Sequence, residues 1–278
     1  MELSLFFAGT AGSVPTARRG LPALLVRAGG DRLLFDCGEG TQQQLLRSIG
    51  LPELDVVFLT HFHLDHWLGL IGMIKTFDLR ARERPLALYG PPGLTALMEG
   101  LLRPVIGRTG YPLRVIELEP HEEVVFDGYV IGAFPVEHRV TAYGYAFVED
   151  DRPGRVVLSG DTRPCQTTEV YAHGADVLVH EATFLADERA RARETAHSTA
   201  GQAAELARDA GVRLLALTHL STRYFPREVR AEAQAVYAST VVPRDFDVIE
   251  VPFPERGEPV LVKGGREAEP DAAAVPPS

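Results

Sequence analysis

Within the stretch Leu59–Gly69, "LTHFHLDHWLG", four side chains able to bind a metal, His61, His63, Asp65 and His66, occupy six consecutive positions. Imidazole and carboxylate are usual zinc ligands, and manganese or iron would accept nearly the same set. A tight His-x-His-x-Asp-His turn can aim His61 and His63 at one ion while Asp65 and His66 face a second, if distant residues complete both shells. Three clustered histidines can equally be a solvated loop. The rest of the chain argues against that: His138 follows "YVIGAFPVE", Asp161 follows "RVVLSG" and His219 follows "LLALT". Each stands after an apolar, strand-like run. The carboxyl edge of buried strands is where open sheets build sites, whereas structural polar residues scatter. A dinuclear centre is therefore expected.

The elements that must position these residues are legible from pattern. "LDVVFLT", "RVVLSGDT", "ADVLVHEAT" and "VRLLALTH" are short runs rich in Val, Leu and Phe that end at polar turns, as buried strands do. "EGTQQQLLRSIG", "PPGLTALMEGLLRPVIG" and "HSTAGQAAELARDAG" repeat apolar residues at three and four positions and stop near Gly, which predicts helices. The class is α/β. The first third, "LSLFFAGT", "LPALLVRAGG" and "DRLLFDCGEG", reads as a meander, so two mixed sheets with helices outside accommodate both patterns. The tail from Gly264, "GGREAEPDAAAVPPS", has no periodicity and is expected to be disordered, leaving residues 1–263 as one hydrolase-sized domain.

Composition narrows the class. With 278 residues, 45% of them hydrophobic, a sizeable core is possible. The absence of an apolar run of about eighteen residues predicts no membrane span, and with no signal-like N-terminus a cytoplasmic location is expected. Cys37 and Cys165 are too few for a disulfide framework and read as buried thiols. A net charge of -10 speaks against a general nucleic-acid binder but leaves room for a local basic patch.

"THFHLDHWLGL" is the signature of the metallo-β-lactamase superfamily. "FDCGEGTQQQL", "LYGPPG", "LSGDTRP", "VHEATF", "HSTAGQAAELA" and "LTHLSTRY", in that order, resemble ribonuclease Z within it, over roughly residues 1–263. The resemblance implies an αββα sandwich of two mixed sheets with two zinc ions at one edge. It assigns His61, His63 and His138 to the first ion, Asp65, His66 and His219 to the second, and Asp161 to both. It further implies an endonuclease that trims the 3′ trailer of precursor tRNA by attack of a metal-bridging hydroxide, in a homodimer. Asp65 would accept the nucleophile's proton, and His197, oriented by Glu181, would protonate the leaving 3′-oxygen.

Two departures from the family pattern stand out. The family commonly carries a long Gly- and Pro-rich arm that grips tRNA, whereas only "RVTAYGYAFVEDDRPGR" separates His138 from the strand at "RVVL". The N-terminal "PTARRG" keeps Pro15 and Arg19 but has Ala17 and Gly20 where the family often has Lys and Asn. These favour, as the rival function, a related hydrolase of small phosphodiesters or other small esters. The basic residues first in line to hold tRNA are Arg18, Arg19, Lys75, Arg80, Arg82 and Arg84, the last four expected near the mouth of the site.

Overall fold

A computed structural model describes residues 2–150 and 155–264. The tail expected to be disordered lies, from residue 265 on, outside the described residues. The chain begins with β1 (Leu3–Gly9), β2 (Ala23–Ala28), β3 (Asp31–Phe35), β4 (Val56–Phe58), β5 (Leu86–Gly90) and β6 (Leu113–Glu117). β7 (Glu123–Phe126), β8 (Tyr129–Pro135), β9 (Tyr143–Glu149), β10 (Arg155–Leu158), β11 (Val177–Glu181), β12 (Leu214–Thr218) and β13 (Thr240–Val241) follow, and then β14 (Val248–Val251) and β15 (Val260–Val262). Among the described residues these make two sheets, in the orders β15-β14-β1-β2-β3-β4-β5-β6 and β13-β12-β11-β10-β9-β8-β7. Both are mixed: pairing is parallel from β3 to β6 and from β10 to β13, and antiparallel elsewhere.

Period-two alternation sorts the side chains into layers. Leu5, Phe7, Val56 and Phe58 point inward and meet Tyr145, Val156, Leu158, Val177 and Val179 of the second sheet. Their neighbours Phe6 and Val57 point outward beneath Leu70, Met73, Ile74 and Phe77 of α3 (below). Each such fully buried side chain stabilises the fold by about 1.5–3 kcal/mol. The helices α1 (Thr41–Ser48), α2 (Leu64–Trp67), α3 (Gly69–Leu79), α4 (Leu94–Leu97) and α5 (Arg103–Ile106) fall in the first half. α6 (Gln166–Ala172), α7 (Arg189–Thr195), α8 (Ala200–Asp209) and α9 (Pro226–Val236) fall in the second. α8 lays Ala200, Ala203, Ala204 and Ala207 on Leu178 and Leu215 of the second sheet, small residues that let the helix sit close. The two sheets between helical layers are the expected αββα sandwich.

Two sequence expectations require correction. The segment between His138 and β10, read as a bare connector, contains β9. Its inward tyrosines brace the metal-loop backbone: Tyr145 Oη donates to the Leu59 carbonyl at 2.7 Å, and the Tyr143 amide to the Thr60 carbonyl at 2.9 Å. The run Lys75–Arg84 does not border the site. α3 starts beside the metal loop and runs back antiparallel to β4, so the run ends at the opposite edge of the sheet. There the buried Arg82 guanidinium donates to the carbonyls of Leu54, Arg84 and Pro85 and lies over the rings of Phe77 and Tyr111. Arg84 pairs with Asp55 at 2.5 Å, and Lys75 with Asp78 at 2.7 Å.

Candidate metal centre

The expected ligands arrive from both sheets. β4 leads into His61 and His63, and α2 carries Asp65 and His66 in a single turn. This loop is pinned by contact between backbones: a Cβ on Gly69 would sit 2.0 Å from the Gly38 carbonyl oxygen, and one on Gly38 2.3 Å from that of Asp65. Only glycines permit that approach. From the second sheet, β8 leads to His138, β10 through Gly160 (φ 60°) to Asp161, and β12 to His219. Asp36, His219 and Ser13 are non-glycine residues in the left-handed region, with φ of 57°, 56° and 58°. Each costs about 1–2 kcal/mol that the surrounding contacts must offset, a pattern typical of functional sites.

One atom each from His61, His63, His138 and Asp161 lie within 4.8 Å of one another, as do one each from Asp65, His66 and His219. Asp161 Oδ2 stands between the groups, 3.8 Å from His61 Nε2, 3.3 Å from His66 Nε2 and 3.2 Å from His219 Nε2. Two ligands on a tetrahedral ion with bonds near 2.0–2.1 Å are separated by about 3.3 Å, so the spacing suits coordination. Hydrogen bonding does not satisfy the whole cluster: buried His66 Nε2 has no hydrogen-bond partner among the described residues.

The outward ring nitrogens fix which atom faces the centre. Nδ1 of His66 bonds Asp36 at 2.7 Å, that of His138 the Ala196 carbonyl at 2.9 Å, that of His219 Thr183 Oγ1 at 2.8 Å and that of His61 Thr60 Oγ1 at 3.0 Å. Nδ1 acts as the donor in each, which leaves Nε2 free as a lone-pair ligand. His63 turns the other way, with Nδ1 2.9 Å from His61 Nε2 and 3.2 Å from His138 Nε2. Asp36, Thr60 and Thr183 were not singled out for these roles by sequence.

Charge follows from this packing. Burial, then the nearby His66, hold His61 well below the usual imidazole range. Burial alone would raise the Asp161 carboxyl, but the His219 and His66 imidazoles hold it well below the usual carboxylate range. His197 stands at the rim with Nδ1 2.7 Å from Glu181 Oε1 and 4.0 Å from Asp161 Oδ2. Against the effect of burial, Glu181 pushes the His197 imidazole up to about 9. Thr199 caps α8, its side chain accepting from the Gln202 amide. Of the other histidines, buried His180 points away from the centre and bonds the Glu181 carbonyl, and exposed His121 bonds Tyr171. Cys37 and Cys165 are free and buried. Gly12, Ser13, Thr183 and His197 line the inner part of a cleft of about 2130 Å³.

The profile of a beta-lactamase superfamily domain matches residues 31–220. The ribonuclease Z of Myxococcus xanthus is 39% identical, over 90% of this chain and 98% of that one, and the ribonuclease Z of Archaeoglobus fulgidus 37%, over 92% and 100%. The chain belongs to the ribonuclease Z family. Among solved structures, the short form of human tRNase Z superposes with a TM-score of 0.78 at 29% identity, covering 90% of this chain and all of the other. A metallo-beta-lactamase fold protein of Bacillus subtilis, 24% identical with a TM-score of 0.79, shares the fold. The match to the Myxococcus ribonuclease Z spans 302 positions, whereas 90% of 278 residues is about 250, so about 50 positions of that relative have no counterpart here.

Proposed function

We propose that this chain is a zinc-dependent endoribonuclease that removes the 3′ trailer from precursor tRNA, leaving a 3′-hydroxyl on the tRNA and a 5′-phosphate on the trailer. The observation that carries the reading is the pairing of the seven-ligand cluster with the His197–Glu181 couple, whose His197 lines a cleft of about 2130 Å³. Small-molecule pockets occupy about 300–1,000 Å³, so the cleft suits a macromolecule. The ribonuclease Z names of the relatives point the same way.

His61, His63 and His138 would hold one ion, Asp65, His66 and His219 a second, with Asp161 shared, which gives two ions per chain. An imidazole-rich set favours zinc. When bound, the ions lower the pKa of water toward neutrality and neutralise charge developing on the phosphate. The remaining work falls to side chains. Asp65, whose Oδ2 is oriented by the Ser13 amide at 2.9 Å, accepts the proton of the attacking water. The water oxygen bonds to phosphorus as the bond to the ribose 3′-oxygen breaks, and the His197 imidazolium delivers its proton to that oxygen. Buried Glu181 fixes the ring and its tautomer, held in turn by Thr183 Oγ1 and the Thr162 amide. The unit performing this is taken as residues 1–263, acting as a cytoplasmic homodimer.

The shortfall of about 50 positions against the Myxococcus relative favours the rival reading, a hydrolase of small phosphodiesters. Purified protein offered a precursor tRNA and bis(p-nitrophenyl) phosphate decides between them. Cleavage at the trailer junction is expected; turnover of the small diester with the tRNA left intact would overturn the proposal.

A further inference from the structure

The cleft adjoins the metal centre through Ser13, whose amide bonds Asp65, through Thr183, which bonds His219, and through His197. From His197 it continues past α9 and α1 to the loop before β14 and the end of β15. Nine of its lining residues are Arg or Lys and three are Asp or Glu, a local excess of six positive charges in a chain of net charge -10. Two of the three carboxylates are already engaged: Asp245 accepts from Thr10, the Gly20 amide and Gln44, and Asp247 from the Arg244 and Gly264 amides. Several cations are not. Among the described residues Arg230 and Lys263 are exposed and make no ion pair, and Arg47 makes none either, its guanidinium reaching the neutral Gln44 at 3.4 Å. Two cations of the cleft are paired, Arg191 and Arg223 with Glu188 at 3.5 and 3.7 Å, and on other parts of the surface Lys75, Arg84, Arg163 and Arg208 are each paired with a carboxylate at 2.9 Å or less. Uncompensated guanidinium and ammonium groups gathered in one concavity, with low-dielectric walls, focus a positive field along its length.

We infer that this cleft, through Arg47, Arg230 and Lys263, binds the phosphodiester backbone of an RNA that reaches the metal centre. The inference deepens the proposed function and rests on it for the identity of the RNA. It places the grip on the body of the same chain, in a cleft that none of the cations of the Lys75–Arg84 run lines. The end of α1, the body of α9 and the residue after β15 contribute one cation each, so the spacing is set by the fold.

Binding of a fluorescently labelled precursor tRNA, followed by anisotropy across a salt series, tests this with Arg47→Ala/Arg230→Ala/Lys263→Ala against Arg80→Ala/Arg84→Ala on the opposite edge. Each lost phosphate contact lowers the slope of log K against log salt by about 0.7–0.9, so the triple variant should flatten it by about 2–3 and the double variant leave it unchanged. Turnover of bis(p-nitrophenyl) phosphate reports whether each variant keeps an assembled metal centre. Unaltered slope and affinity in a triple variant that still turns over the small diester would overturn the inference while leaving the endonuclease reading intact. Slope loss in the triple variant, with a wild-type protein that binds but never cuts precursor tRNA, would uphold the cleft and defeat the assigned reaction. Equal loss in both variants would also overturn it, because the grip would then be diffuse.

Discussion

At the amino ends of the parallel strands, two cations are held by groups that suit them. Arg82 is wrapped by three carbonyls and two aromatic rings, and Arg213 joins Asp176 at 2.6 Å, Glu258 at 2.9 Å and the Gly257 carbonyl. At the carboxyl ends, five imidazoles crowd one another instead, with ring centroids 4.1–5.4 Å apart, around two carboxylates. Like groups packed together and strained backbone at Asp36 and His219 make this edge a poor way to stabilise a chain. The contrast teaches that one edge holds the sandwich together while the other is assembled for a ligand that supplies the missing positive charge.

The largest effect should come from removing the carboxylate between the two ligand groups. Asp161→Ala should lower the rate by more than about 10³, the several kcal/mol that metal stabilisation provides, and bring metal content below two equivalents by elemental analysis. Retention of two equivalents with full activity would erase the distinction between the edges. Next is His197→Ala, expected to cost about 10²–10⁴ on precursor tRNA with metal content unchanged. On bis(p-nitrophenyl) phosphate the cost should be small, because p-nitrophenolate leaves without a proton; equal losses on both substrates would remove His197 from its donor role.

Arg82→Ala probes the other edge. Stripping a cation from three buried carbonyls should cost about 3 kcal/mol and lower the Tm by about 6–10 °C, with turnover per folded molecule unchanged. The smallest effect is a pH dependence of the chelator-treated protein. Glu181 raises the His197 imidazole to about 9, above the unfolded value near 6.5. A raised folded pKa gives stability that is fully present below pH 6.5 and lost as the pH rises through 9. The Tm should therefore fall by a few degrees over that window, on the order expected for a chain of this size. His197→Asn should flatten part of this, the remainder belonging to His66, which Asp161 and Asp36 raise despite burial.

Much of this was legible in the sequence, for identifiable reasons. Buried strands betray themselves as apolar runs, and His138, Asp161 and His219 were visible because each interrupts such a run at its end. Asp36 satisfies the same rule after β3 and could have been found by it; its partner His66 lies 30 residues on. Thr183 offers no such signal, since a hydroxyl between Glu181 and His219 resembles any strand-end threonine. β9 was passed over although Tyr143, Tyr145 and Phe147 alternate as a strand should. The cationic cleft is written in no local run at all. Its charges come from segments as distant as Arg47 and Lys263, whereas the conspicuous cluster at Lys75–Arg84 is carried away by the return direction of α3.

The strand order β15-β14-β1 sets a timetable for the growing chain. β1 precedes every other strand of its sheet, yet its partner β14, at Val248–Val251, is made after all of them but β15, so one side of β1 presents unpaired amides and carbonyls until then. An open edge of this kind invites pairing with other chains. A chain interrupted before residue 248 would thus have all four ligand-bearing segments already made but its first sheet unsealed, a substrate for chaperones or proteases instead of a working enzyme.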